Sequence, residues 1–189
     1  INWLTAAFFI ISLSLIFSLI LAKVLKDYQI KRLIIFMNPN VDPRGAGWNI
    51  IQSKIAIGAG GIFGKGYLRG TQSHYRFLPQ QSTDFIFSIL SEEFGFLGCC
   101  LVFLLFLFIF IRTIIIIRNS TSTYGAYIAS GILGMFAFHF FVNVGMVMGM
   151  MPITGIPLSF LSYGGSSLLT SMSCIGLLMS INYRRKEIR

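Results

Sequence analysis

The stretch FGFLGCCLVFLLFLFIFI, residues 94–111, carries no charged side chain and runs on through Arg112 into Thr113–Ile117. A helix crossing a hydrocarbon layer about 30 Å thick needs about 20 apolar residues, and this run supplies them. Other stretches share its character. Residues 1–22 hold no charge, and residues 119–183 hold no Lys, Arg, Asp or Glu. The latter stretch is too long for one helix and is broken at Met151-Pro152 and Gly155-Ile156-Pro157, which divides it in two. The expected spans are 2–23, 92–117, 124–148 and 160–181, with a long loop over 24–91. Composition agrees: of 189 residues 55% are hydrophobic, 15% aromatic and only 11% charged, and the mean hydropathy is +0.78. A soluble domain carries about 25% charged residues. The chain therefore reads as an all-α integral membrane protein, and its low charge and three Cys exclude a disordered tail, a coiled coil and a disulfide scaffold.

The first segment lacks a basic n-region and is followed by Lys23, Lys26, Lys31 and Arg32, so it reads as a span and not as a cleavable signal. The first residue is Ile1, not Met, which suggests a portion of a longer or processed chain. Within the spans, Ala126, Ser130, Gly134 and the pair Gly145 and Gly149 recur at helical spacing and let helices approach closely. His139 lies inside the third span, where an ionisable group is either functional or bonded to a neighbouring helix. Cys99, Cys100 and Cys174 show no metal-ligand spacing and read as small buried residues.

Function should concentrate in the long loop. Residues 23–91 hold 9 of the 15 basic residues, against Asp27, Asp42 and Asp84 as acids. WNIIQSKIAI, residues 48–57, separates an apolar set from Gln52, Ser53 and Lys54 and reads as a short interfacial helix. Gly58, Gly60, Gly61, Gly64, Gly66 and Gly70 follow, a density that predicts a tight or re-entrant loop. Arg112 and Arg118 in a short loop, with Arg184, Arg185, Lys186 and Arg189 in the tail, place the C-terminus in the cytoplasm and the long loop outside. Lys23 and Lys26 argue the other way. A cationic surface facing outward suits a lipid diphosphate better than nucleic acid.

Six acids compete for a chemical role. Asp42 belongs to a turn, Glu187 to the polar tail, and Asp27 to a cluster of cations that it balances. Asp84 stands where a loop turns into the second helix, and a helix N-cap is its plainest role. Glu92 and Glu93 enter the second span, where a carboxylate caps the first turn or binds a cation.

The string Asp42-Pro43-Arg44-Gly45-Ala46-Gly47-Trp48, then Gln52-Ser53-Lys54, Gly64-Lys65-Gly66 and Gly70-Thr71-Gln72-Ser73, resembles the SEDS family. So do Thr83-Asp84-Phe85 with Glu92-Glu93, and the C-terminal set Asn143-Val144-Gly145-Met146, Gly155-Ile156-Pro157 and Ser162-Tyr163-Gly164-Gly165-Ser166. The resemblance covers nearly the whole chain and is nearer to the family's elongation member than to its division member. It implies a fold of about ten helices, of which these would be the last four, in the bacterial inner membrane. It further implies a peptidoglycan glycosyltransferase that polymerises lipid II into β-1,4 glycan strands for cell-wall elongation and shape, beside a class B penicillin-binding protein and the elongation machinery. The family's essential loop aspartate corresponds to Asp84.

On that implication Asp84 accepts the proton of the attacking sugar hydroxyl, while cations neutralise the leaving diphosphate. Lys54 and Lys65, with Arg69 or Arg76, are the candidates to hold the diphosphate, and Gln72, Ser162, Gly164, Gly165 and Ser166 are candidates to line the substrate site. A divalent metal, Mg or Mn, near Glu92 or Glu93 is the one cofactor this chemistry invites. Two other classes compete: a lipid II transporter, which favours ionisable residues along the spans, and a non-catalytic scaffold that activates a penicillin-binding protein.

Overall fold

The computed structural model describes residues 26–42, 45–70 and 83–187. Five helices account for most of them: α1 Asp27–Met37, α2 Ala46–Gly60, α3 Ile86–Arg118, α4 Thr123–Val147 and α5 Gly165–Glu187, with a 3-10 turn at Pro39–Val41 after α1. No strand occurs among the described residues. Two of these helices, α3 and α4, are long and apolar enough to cross a membrane. The expected span over 2–23 lies outside the described residues.

Phenylalanines hold α3, α4 and the segment before α5 together. Phe106 of α3 lies 4.5 Å, ring to ring, from Phe140 of α4, and Phe103 meets the same ring edge-on at 5.1 Å. Phe160, in the left-handed backbone region at φ 68°, is held there by Phe136 at 5.3 Å and Phe106 at 6.5 Å. The outer faces of these helices show Leu101, Leu104, Leu105 and Phe108, a surface suited to hydrocarbon.

The dense glycines of the loop have a specific use. Gly95 breaks α3 at φ 65° and ψ −160°, a conformation open essentially to glycine alone. A break exposes carbonyls before it and N–H groups after it. The chain leaving α2 takes up both sets: Lys65 and Gly66 donate to the Glu92 and Glu93 carbonyls at 3.0 Å, and Phe96 and Leu97 donate to the Gly61 and Ile62 carbonyls at 2.9 and 3.2 Å. Backbones approach so closely that a Cβ on Gly60, Gly64 or Gly95 would strike the opposing main chain. The fully buried Glu92 carboxylate closes the joint with an ion pair to Lys65 Nζ at 2.8 Å.

Three expectations are revised here. The interfacial helix extends beyond residues 48–57 to Ala46–Gly60. Helix α3 starts at Ile86, just after Asp84 as its place at the loop-to-helix turn anticipates, and extends beyond the expected span 92–117, with Glu92 paired to Lys65 inside a buried turn. The last helix starts at Gly165 and not at 160, because Leu158–Ser162 is a turn in which the Ser162 hydroxyl accepts from the Leu158 N–H at 2.7 Å.

The end of α4 also matters for the site. Gly149, at φ 71°, ends the helix: its N–H donates to the Met146 carbonyl at 3.0 Å, and Met150 N–H donates to the Gly145 carbonyl at 2.7 Å. Helix α2 docks at this point, with the buried Ser53 hydroxyl donating to the Val147 carbonyl at 2.9 Å. Arg32 of α1 reaches the next segment, donating to the Ile153 carbonyl at 2.9 Å and, more weakly, to that of Thr154 at 3.4 Å.

Candidate active site

Asp84 stands in the turn 83–85 that leads into α3. The N-cap position of that helix is Phe85, and no side chain bonds to its first turn. Helix capping is therefore not the role of Asp84. Its backbone is held instead by groups far away in sequence. Asn143, fully buried on α4, donates from Nδ2 to the Asp84 carbonyl at 3.0 Å and to the Ile156 carbonyl at 2.8 Å. Ser162 donates from Oγ to the Thr83 carbonyl at 2.6 Å. In so apolar a setting these bonds are strong, and leaving them unmade is costly.

The carboxylate is treated differently. Asp84 is partly exposed, and neither ion pair among the described residues, Lys31–Asp42 or Lys65–Glu92, engages it. A methyl group built on Gly155 would lie 3.5 Å from Asp84 Oδ2. Gly155 takes φ 73°, a left-handed conformation that favours glycine, and brings its segment into van der Waals range of the acid.

Lys54, exposed on α2, lies across Gly149 so closely that a Cβ there would strike its side chain. Gly149 and Gly155 are six residues apart, so Lys54 and Asp84 flank one short segment whose ends are at most about 20 Å apart. Lys65 is committed to Glu92. Glu93 is buried beside it, and Arg69 is exposed. Gln72 and Arg76 lie outside the described residues. Gly164 supplies the carbonyl that accepts the Leu168 N–H at 2.9 Å, Gly165 opens α5, and Ser166 is exposed in its first turn. Ser166 and Thr170 line a small cavity of about 220 Å³ with His139, whose Nδ1 is 3.4 Å from the buried Ser159 hydroxyl.

The structure thus brings Asp84 together with Ser162 and keeps Lys65, Glu92 and Glu93 in a separate joint. Asn143 and Gly155 are the members that the sequence did not single out as site residues. A signal existed for Asn143: an amide inside a charge-free span needs partners, and its partners mark a site.

A divalent cation does not fit the Glu92 joint. Its carboxylate is already neutralised by an ammonium group, and no cluster of three or more His, Cys, Asp or Glu side chains able to hold a metal gathers among the described residues. What the Asp84 region offers is a partly exposed acid on a fixed backbone with a cation on the neighbouring helix. That pairing can accept a proton and balance an anion.

Comparison with known proteins follows the same lines. The family model for the FtsW, RodA and SpoVE cell cycle proteins matches residues 1–187. The peptidoglycan glycosyltransferase RodA of Treponema pallidum (strain Nichols) is 66% identical over 183 residues, which are 97% of this chain and 42% of that protein. The peptidoglycan glycosyltransferase MrdB of Escherichia coli (strain K12) is 45% identical over 162 residues, 86% of this chain and 44% of that protein. A chain from a peptidoglycan synthase complex, solved to show how polymerization and crosslinking are coordinated, superposes with a TM-score of 0.74 at 28% identity, covering 97% of this chain and 50% of that one. The chain thus spans less than half the length of the curated relatives it matches. With motif, fold and family model in agreement over nearly every residue, the chain belongs to the FtsW/RodA/SpoVE family of cell cycle proteins, the SEDS proteins that its loop and C-terminal motifs resemble.

Proposed function

We propose that this chain carries the catalytic aspartate of a membrane-embedded peptidoglycan glycosyltransferase of the elongation type, with lipid II as substrate and Asp84 as general base. The observation that carries the reading is the clamp on Asp84. Asn143 and Ser162 fix the backbone of Thr83 and Asp84 from α4 and the pre-α5 turn, while Asp84 itself stays partly exposed beside Gly155. A structural acid would be tied down through its oxygens, as Glu92 is. The 66% identity to a protein named peptidoglycan glycosyltransferase RodA supports the same reading.

The step is a single displacement. The acceptor sugar's 4-hydroxyl oxygen forms a bond to the donor's anomeric carbon, the bond from that carbon to the lipid diphosphate breaks, and the hydroxyl proton passes to Asp84. The diphosphate leaves as an anion, so it needs charge neutralisation and no general acid. Lys54 serves it best, because Lys65 is occupied by Glu92.

In the membrane, α3, α4 and α5 are three spans and residues 2–23 a fourth. The loop 24–91 then faces outward, where a class B penicillin-binding protein would receive the glycan, and the tail lies in the cytoplasm of the bacterial inner membrane. The similarity to a chain of a peptidoglycan synthase complex supports that partner.

The test is lipid II polymerisation by the full-length protein with its penicillin-binding partner, parent beside Asp84→Asn. The variant should fold and bind its partner yet lose about 10²–10⁴-fold in rate, the usual contribution of a general base. Parent-like polymerisation by Asp84→Asn would sink the reading and return the scaffold and transport alternatives.

A further inference from the structure

Asn143 sits fully buried in an apolar helix, where an apolar side chain would bring no polar group to satisfy. What only the amide supplies is a pair of N–H donors. One acceptor is the carbonyl of Asp84 itself, at 3.0 Å, and the other is that of Ile156, at 2.8 Å, directly after the Gly155 that borders the Asp84 carboxylate. A single side chain therefore ties the acid's own backbone to the turn that flanks its oxygens. Two carbonyls can face only the NH2 end, which fixes the amide orientation. Its Oδ1 is then buried without a hydrogen-bond partner among the described residues. An orphaned buried acceptor destabilises the fold, so the amide is retained for its donors.

We propose that Asn143 is the positioning residue that sets the Asp84 carboxylate against the Gly155–Pro157 turn, in register with the acceptor hydroxyl. The inference rests on Asp84 being the base. Asn143 touches neither substrate nor proton; it acts through the placement of Asp84. Displacing a base by about 1 Å costs up to about 10²-fold in rate while leaving substrate contacts elsewhere intact. The loss should thus fall on kcat and spare KM.

The experiment measures kcat and KM for lipid II, and the thermal midpoint in detergent, for the full-length protein with its partner. Asn143→Leu removes both donors and keeps the branching of the side chain, at a larger volume. It should lower the midpoint, because two carbonyls lose their donors, keep KM within about twofold, and lower kcat about 10–100-fold beyond what the midpoint accounts for. Asn143→Ser keeps a polar side chain too short to reach either carbonyl, and should lose kcat as Leu does without the added bulk. Parent-like kcat in Asn143→Leu, or a loss confined to KM, overturns the proposal. Should Asn143→Leu fail to fold, Asn143→Ser decides alone: a kcat-only loss supports positioning, and parent-like kcat overturns it. An active Asp84→Asn protein would defeat the base assignment itself, whereas inactive Asp84→Asn beside fully active Asn143→Leu would defeat only this inference.

Discussion

Two polar clusters bracket the first turns of α3, one around Asp84 before the helix and one at Gly95 within it, and they use their groups in opposite ways. At the Gly95 joint everything is consumed: the carbonyls of Glu92 and Glu93, the N–H groups of Phe96 and Leu97, and the Glu92 carboxylate all have partners in the chain leaving α2. Around Asp84, among the described residues, Asn143 and Ser162 consume backbone groups, and the residue stays partly exposed. On the proposed function, the contrast separates a structural acid from the base. A buried carboxylate must be paired to be tolerated at all. A catalytic one must be held by its backbone, so that its oxygens remain available.

Breaking the joint should cost stability without touching chemistry directly. Lys65→Ala leaves Glu92 buried without the ammonium group and should destabilise the protein by about 3–5 kcal/mol, read as a lowered thermal midpoint in detergent. Adding Glu92→Gln to that variant should recover part of the loss, because a neutral amide is cheaper to bury than an uncompensated charge. A midpoint unchanged by Lys65→Ala would show that the pair is not structural.

The other end should respond the opposite way. Gly155→Ala places a methyl group against Asp84 Oδ2 at a backbone angle of φ 73°. It should cost about 1–3 kcal/mol in strain and lower the polymerisation rate more than the midpoint accounts for. Equal rates in parent and Gly155→Ala would show that Gly155 does not bear on the acid. The smallest effect belongs to Arg32, whose guanidinium holds the Ile153 and Thr154 carbonyls from the exposed side of α1. Arg32→Ala should cost about 1 kcal/mol and only a few-fold in rate. A loss as large as that of Asp84→Asn would move Arg32 into the site itself.

Much of this was legible in the order of residues. Charge-free runs around residues 94–111 and 124–148 announce two apolar helices, because a hydrocarbon solvent imposes length and composition together. The helix over 48–57 and the glycine-dense stretch after it also announce themselves by pattern. Boundaries were less legible. The start of α3 was marked by the loop-to-helix turn at Asp84, yet the span ruler stopped at 92 because Glu92 counts as a charge until its pairing with Lys65 is seen. The start of α5 was hidden because Leu158–Ser162 is apolar enough for a helix yet is spent on a turn that reaches Thr83.

The sequence by itself determined the membrane character, the helical class and the family, since these rest on composition and on motifs carried by neighbouring residues; it offered Asp84 only through the family resemblance. Tertiary structure alone decided that Lys65 belongs to Glu92, that Asp84 caps no helix, and that Asn143, Gly155 and Ser162 surround it. The physical reason is range. Composition and periodicity act over a few helical turns, whereas the bonds that fix Asp84 join residues 59 and 79 positions apart, and only the packed chain brings them within hydrogen-bond reach.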